Sequence, residues 1–247
     1  MMGALVIVLA AGYGVAAGLL LPRPAYRLSA APGDPWRGSC PQGHRLAGWL
    51  GPARCRARTD PPGPPHAYGR PAMLPAVLTA GVCALLAAAV GVRPELVAYA
   101  GLAPLLVLLA LVDRAVHRLP DVLTLPLAAA LAALLGAAAL APGSAGSWRL
   151  ALLGGGALGA AYLLLHLINP DGMGFGDVKL ALSLGVALGW YGWGVWSAGA
   201  FLGLLYGALY GLFLVLRSSE RGHQGYAFGP FMAAGALTGV LLGGFGA

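Results

Sequence analysis

The chain has 247 residues, of which 59% are apolar and only 9% charged. Soluble domains of this size carry about 25% charged residues, so the composition excludes an ordinary soluble enzyme and indicates a membrane protein. The formal net charge of +7 is no signal for a nucleic-acid partner. The basic residues lie in short connectors between apolar runs, not in a block alternating with exposed aromatics.

Apolar runs of roughly 20 residues are long enough to cross a bilayer as helices. They predict about eight spans, near 2–21, 73–91, 95–112, 122–141, 149–168, 178–196, 198–216 and 227–246. The expected fold is therefore all-α and polytopic, one membrane domain over 1–247. The first run has no basic segment before it and no clean small-residue cleavage site after it, so it reads as a retained span. One polar insertion follows at 22–72. It is rich in proline and glycine, notably Pro61-Pro-Gly-Pro-Pro65, and little regular structure is expected there.

Basic residues set the orientation. The 22–72 insertion holds eight arginines against Asp34 and Asp60, and later connectors add Arg114, Arg118, Arg217 and Arg221, whereas Arg93 and Arg149 fall on the opposite side. The insertion then faces the cytoplasm in a multi-pass protein of the plasma membrane. Forty glycines suit close helix contact in lipid. Trp190, Tyr191, Trp193 and Trp196 cluster near the outer end of the sixth span and read as an interfacial aromatic belt.

Acidic residues in such runs are costly, of order 3 kcal/mol at the bilayer centre, and suggest function. Asp113 closes the third span just before Arg114, where the helix C-terminus disfavours an anion, so it has no value as a cap. Asp177 opens the sixth span in Gly172-Met-Gly-Phe-Gly-Asp-Val-Lys179, where an N-terminal anion is favoured. Gly174 and Gly176 let backbone approach another chain closely, and Lys179 adds a charge nearby. Together Asp113 and Asp177 read as a carboxylate dyad, with Gly174, Gly176 and Lys179 as substrate-binding candidates. Helix-end electrostatics assign Asp177 the anion and Asp113 the acid. Asp121 reads as the N-cap of the fourth span, and Asp171 as turn chemistry. His117 and His166 flank the aspartate segments as interfacial residues.

These stretches resemble the type IV prepilin leader peptidases, membrane aspartic proteases of the Gly-x-Gly-Asp class. Leu111 to Pro126, containing Asp113 and Leu119-Pro-Asp-Val-Leu-Thr124, is similar to the family's first aspartate segment; Gly172 to Leu180 matches the second. Phe228-Gly-Pro-Phe231 resembles a family turn before the last helix, and Gly18 to Arg27 a weakened form of the segment ending the first helix. The resemblance implies removal of basic leaders from pilin-like precursors at the cytoplasmic face, in pilus assembly or protein secretion, with membrane lipid as the surroundings. It implies Asp113 and Asp177 as the catalytic pair.

The insertion departs from that pattern. Many members carry two Cys-x-x-Cys pairs there, consistent with a bound metal. This chain has Ser39-Cys-Pro-Gln-Gly-His44 and Ala53-Arg-Cys-Arg-Ala57, one cysteine each. Cys40, His44 and Cys55, with His66, number enough for zinc, but they lack paired spacing. The expectation is free thiols and no metal. No cofactor is needed for the carboxylate chemistry, and methylation of the new amino terminus is not carried over. Two other classes fit the same aspartates: a protease cutting within transmembrane helices, and a proton- or cation-coupled transporter. The Leu-Pro-Asp-Val-Leu-Thr segment favours the prepilin type over the first. The absence of a convincing repeat argues against the second.

Overall fold

The computed structural model describes residues 2–31, 33–55, 66–69, 71–170, 172–217 and 226–247. Asp60, the proline run 61–65, Asp171, Arg221 and His223 lie outside them. The elements run α1 (Met2–Leu20), α2 (Pro22–Leu28), β1 (Arg54–Cys55), β2 (His66–Ala67), α3 (Met73–Val90), α4 (Glu95–Val116), α5 (Asp121–Ala139), α6 (Trp148–Ile168), α7 (Phe175–Gly189), α8 (Trp193–Arg217) and α9 (Gly229–Gly246). A helix satisfies its backbone polar groups internally, which is what apolar surroundings demand of these runs. The protein is a polytopic all-α membrane protein: α1, α3, α4, α5, α6, α8 and α9 are each long and apolar enough to cross a bilayer.

The sixth expected span is shorter than predicted. With 15 residues, α7 extends about 22 Å, less than the roughly 30 Å hydrocarbon core. It is shielded by its neighbours, being buried at Asp177, Val178, Leu180, Ala181 and continuously from Ser183 to Gly189. The chain turns at 190–192, where Gly192 takes φ +99°, a conformation open to glycine at little steric cost. Trp196-Ser197, the expected break, lies inside α8. Trp190 is 1% exposed and so is a core residue, not a belt anchor. Trp193 is exposed, and Trp196 donates from Nε1 to the Gly154 carbonyl at 2.9 Å.

The helices differ in burial. In α4, 56% of its most apolar stretch is buried, against 11% in α1, so α4 is central and α1 peripheral. Helices α6 and α7 meet at backbone contact: a Cβ at Gly154 would stand 2.6 Å from the Gly185 carbonyl oxygen. That contact fixes the helix bearing Asp177. At the other end of α4, Glu95 is fully buried, and its Oε1 accepts the Ala145 N–H at 3.3 Å.

The 22–72 insertion is more ordered than expected. Helix α2 begins at Pro22, whose fixed φ and missing N–H suit a first helical position. A two-residue antiparallel ribbon pairs Arg54 with Ala67 and Cys55 with His66, and an isolated bridge joins Ser39 to Arg45. Arginines of α2 fold the insertion onto the bundle. Arg23 donates to the carbonyls of Ala47 and Leu50, the latter at 3.2 Å. Arg27 donates to Gly48 at 2.9 Å and lies 4.3 Å over the Trp49 ring.

Candidate active site

Asp113 lies near the end of α4, which runs to Val116 and closes at His117, a left-handed residue with φ 51°. Asp113 is 4% exposed. Its Oδ2 accepts the backbone N–H of Gly229 at 3.0 Å, the first residue of α9. Arg114 points to solvent, and no ion pair joins it to Asp113 among the described residues.

Asp177 is the third residue of α7, not its N-cap; Gly174 occupies that position. Its N–H donates to the Gly174 carbonyl at 3.0 Å. An acid at N3 is where a capping box places one. Asp177 is 9% exposed. Both carboxyls line one cavity of about 630 Å³.

The same cavity is bordered by His117, Asp121, Lys179, Tyr226 and the 172–176 backbone. Asp121 is the first residue of α5, after the N-cap Pro120, and makes no cap with its side chain. Instead its Oδ1 pairs with Lys179 Nζ at 2.6 Å, and the lysine also lies 4.8 Å over the Phe175 ring. The expected capping role of Asp121 therefore gives way to an ion pair across the cavity rim.

The two candidate glycines differ. A Cβ at Gly174 would meet Asp177 Oδ2 at 3.7 Å and the Gly176 N at 4.0 Å, both ordinary contacts. A Cβ at Gly176 would stand 2.9 Å from the Leu119 Cβ, so that glycine brings α7 against the 117–120 connector. His166 donates from Nδ1 to the Met173 carbonyl at 2.8 Å, and its ring lies 5.5 Å from Phe175. It braces the glycine-rich loop and is more than an interfacial residue.

Gly229 is the residue that sequence reasoning left without a role. A Cβ there would stand 2.8 Å from Asp113 Oδ2. The Phe228-Gly-Pro-Phe231 turn was its only signal. Tyr226 was likewise unassigned; it borders the cavity and donates its hydroxyl to the Gly207 carbonyl at 2.7 Å. In the insertion, the ligand atoms of Cys40, His44, Cys55 and His66 all lie within 4.8 Å of one another. None of the four borders the cavity.

Fold and cavity together define a polytopic membrane protein with two buried carboxyl groups lining one cavity at one end of its helices. Comparison with known proteins carries this to a family. The type IV leader peptidase family matches residues 100–216, a stretch that contains both aspartates. A prepilin leader peptidase/N-methyltransferase of Burkholderia pseudomallei (strain K96243) is 31% identical over 225 residues, covering 84% of this chain and 67% of the relative. The Aeromonas hydrophila protein of the same name is 32% identical over 183 residues, 69% of this chain and 57% of the relative. That of Bacillus subtilis (strain 168) is 35% identical over 97 residues, 39% of this chain and 38% of the relative. No solved structure matches the chain significantly. The chain belongs to the type IV leader peptidase family.

Proposed function

We propose that the protein is an aspartic endopeptidase that removes basic leaders from type IV pilin-like precursors at the cytoplasmic face of the plasma membrane. The observation that carries this reading is the burial of Asp113 and Asp177 in one cavity. Two close carboxyls cannot both ionise cheaply, so they share a proton. The ionised member takes a proton from water as the water oxygen attacks the scissile carbonyl carbon. The protonated member gives its proton to the carbonyl oxygen. Collapse of the tetrahedral intermediate breaks the C–N bond, and the amine leaves with a proton returned by the dyad.

The surrounding residues hold this arrangement. The Gly229 N–H anchors Asp113, and the first turn of α7 carries Asp177. Gly174 keeps the approach to Asp177 open, Gly176 seats α7 on Leu119, and Lys179 bridges to Asp121 at the rim. A precursor's apolar helix is suited to lie along the spans while its leader stays outside the bilayer.

The test is cleavage of a pilin-like precursor in membranes by wild type, Asp113→Asn, Asp121→Asn and Asp177→Asn at matched protein levels. Loss of cleavage only for Asp113→Asn and Asp177→Asn is expected. Full cleavage by both of those variants would remove the dyad and bring the transporter reading forward. Cleavage within an apolar helix, instead of just before it, would assign the intramembrane type.

A further inference from the structure

The polar insertion carries one apolar spot on its surface. Among its described residues, the large apolar side chains left exposed are Trp36, Trp49 and Leu50, at 47%, 44% and 62%. They are neighbours. The Trp36 and Trp49 rings meet edge to face at 5.4 Å, and Leu50 follows Trp49 in the chain. Exposed apolar groups that cluster, unlike those scattered singly, mark an interaction surface.

Backbone contacts fix this patch at the ends of membrane spans. The Gly51 N–H donates to the carbonyl of Leu20, the last residue of α1, at 2.9 Å, and the Gly51 carbonyl accepts the Arg23 N–H at 3.0 Å. Leu50 therefore adjoins a residue bonded to the tip of a transmembrane helix. On the Trp36 side, the Arg37 N–H donates to the carbonyl of Arg27 in α2 at 3.1 Å. Leu21 and, within α2, Ala25 and Leu28 pack with Leu108, Leu111 and Val112 of α4, the turns that lead to Asp113. Both halves of the patch are thus held where the hydrocarbon of a bilayer gives way to its headgroups.

The chemistry around the patch suits that depth. Indole joins an apolar body to one N–H, and it favours the boundary between lipid and water. The Arg27 guanidinium lies 4.3 Å over the Trp49 ring, and that of Arg37 lies 4.9 Å over the Tyr26 ring. An arginine laid flat on an aromatic ring keeps its N–H edges free for phosphate oxygens. Arg45 is brought close to Arg37 by the Ser39–Arg45 bridge and by the Leu46 N–H bond to the Gly38 carbonyl at 2.9 Å. Arg37 and Arg45 are exposed and in no ion pair among the described residues, where Asp34 is the one acid of the insertion. A second copy of the chain on this face would set arginine against arginine, whereas an anionic lipid surface complements it.

We infer that Trp36, Trp49 and Leu50 seat the insertion on the bilayer surface, and that Arg37 and Arg45 bind the phosphates of anionic phospholipids there. The lobe lies on the membrane instead of projecting away from it. Trp36 also borders a cavity of about 170 Å³ that shares Arg118 and Asp121 with the carboxylate cavity. Lipid beneath the lobe therefore supports a wall beside the site. The inference needs the membrane fold and not the peptidase reading.

The experiment places the full-length protein in nanodiscs whose lipids carry bromine, a tryptophan quencher, near the top of the acyl chains. One set is phosphatidylcholine alone and the other is mixed with phosphatidylglycerol. Subtracting the emission of the variant carrying Trp36→Phe and Trp49→Phe isolates this pair from the remaining tryptophans. The pair should be quenched by the brominated lipid, more strongly with phosphatidylglycerol, and shielded from aqueous acrylamide. A basic residue at an anionic lipid surface strengthens attachment about fivefold, so Arg37→Gln with Arg45→Gln should remove the phosphatidylglycerol increment. Hydrogen exchange of wild type across residues 46–51 should slow severalfold in the anionic discs, which keeps the test decisive if the variants fold poorly. Acrylamide quenching as free as that of tryptophan in water, with none from lipid, would show the lobe standing clear and overturn the inference. Equal lipid quenching and exchange in neutral and anionic discs would also overturn it, by removing the role of the arginines. Shielding from both quenchers in discs that hold two chains would assign the patch to a second copy instead. None of these readings depends on peptidase activity.

Discussion

Gly229→Ala isolates the support of Asp113 from the integrity of the fold. Gly229 has no positive φ and is the first residue of α9, so the backbone accepts alanine, a better helix former. The obstacle is the carboxyl group: the added Cβ would stand 2.8 Å from Asp113 Oδ2 and 3.4 Å from Cγ. The carboxyl must move and give up the Gly229 N–H, now at 3.0 Å. A hydrogen bond to a charged group contributes about 1.5–3 kcal/mol. If that contribution is made in the transition state, its loss slows cleavage about 10- to 150-fold. Initial rates of precursor cleavage at matched enzyme levels, with a thermal melt in the same detergent, measure both quantities. The expected outcome is slow cleavage with at most a modest fall in melting temperature, because alanine's helix preference partly offsets the lost hydrogen bond. Wild-type cleavage by Gly229→Ala would refute the reasoning, because the position of Asp113 would then not matter to the reaction.

Three further outcomes follow from the same geometry. Gly154→Val drives a side chain into the Gly185 carbonyl across the α6–α7 contact; overpacking of this kind costs about 1–3 kcal/mol or more, seen as a lowered melting temperature and reduced cleavage together. Glu95→Ala leaves the Ala145 N–H without its acceptor and should cost about 1–3 kcal/mol. It lies about 27 Å along α4 from Asp113, so cleavage per folded molecule should be unchanged. Asp121→Asn breaks a pair whose aspartate side chain is 64% exposed; such pairs contribute about 0–1 kcal/mol, and both melting temperature and cleavage should stay near wild type.

What the sequence revealed was set by local composition. Long apolar runs located the spans, and acids inside them were conspicuous because lipid tolerates so few. Contacts through space were hidden. In a chain apolar on every side, residue pattern does not mark which face of a helix meets another, so the shielding of α7 and its early end at Gly189 were not legible. Trp190 looked like a belt residue because sequence records its type and not its burial. Two-residue strands have no periodicity to read, which concealed the pairing of Cys55 with His66. His66 follows Cys55 by ten intervening residues, and only the ribbon makes them neighbours. Gly229 lies 116 residues from Asp113, and no local rule joins them.

The helix-end argument that made Asp113 the acid and Asp177 the anion changes with this fold. The C-terminal end of α4 is met by the N-terminal end of α9, whose Gly229 N–H reaches Asp113. Asp177 stands in the first turn of α7, so both aspartates lie at a helix N-terminus, and their dipole environments no longer differ as the isolated helices suggested. The pair titrates as a unit, so its asymmetry is better sought in access. Asp113 Oδ2 is closed off by Gly229, while the space beside Asp177 Oδ2 is left open by Gly174. Substrate then approaches from the Asp177 side, and Gly174→Val tests this. The backbone at Gly174, φ −67° and ψ 143°, is extended and accepts valine without strain, so the melting temperature should hold. The new methyl groups project into the approach path, and the apparent KM for precursor should rise several-fold with a smaller change in kcat. A fall in kcat at constant KM would instead mean that the space beside Gly174 serves the chemical step, and the access argument would fail.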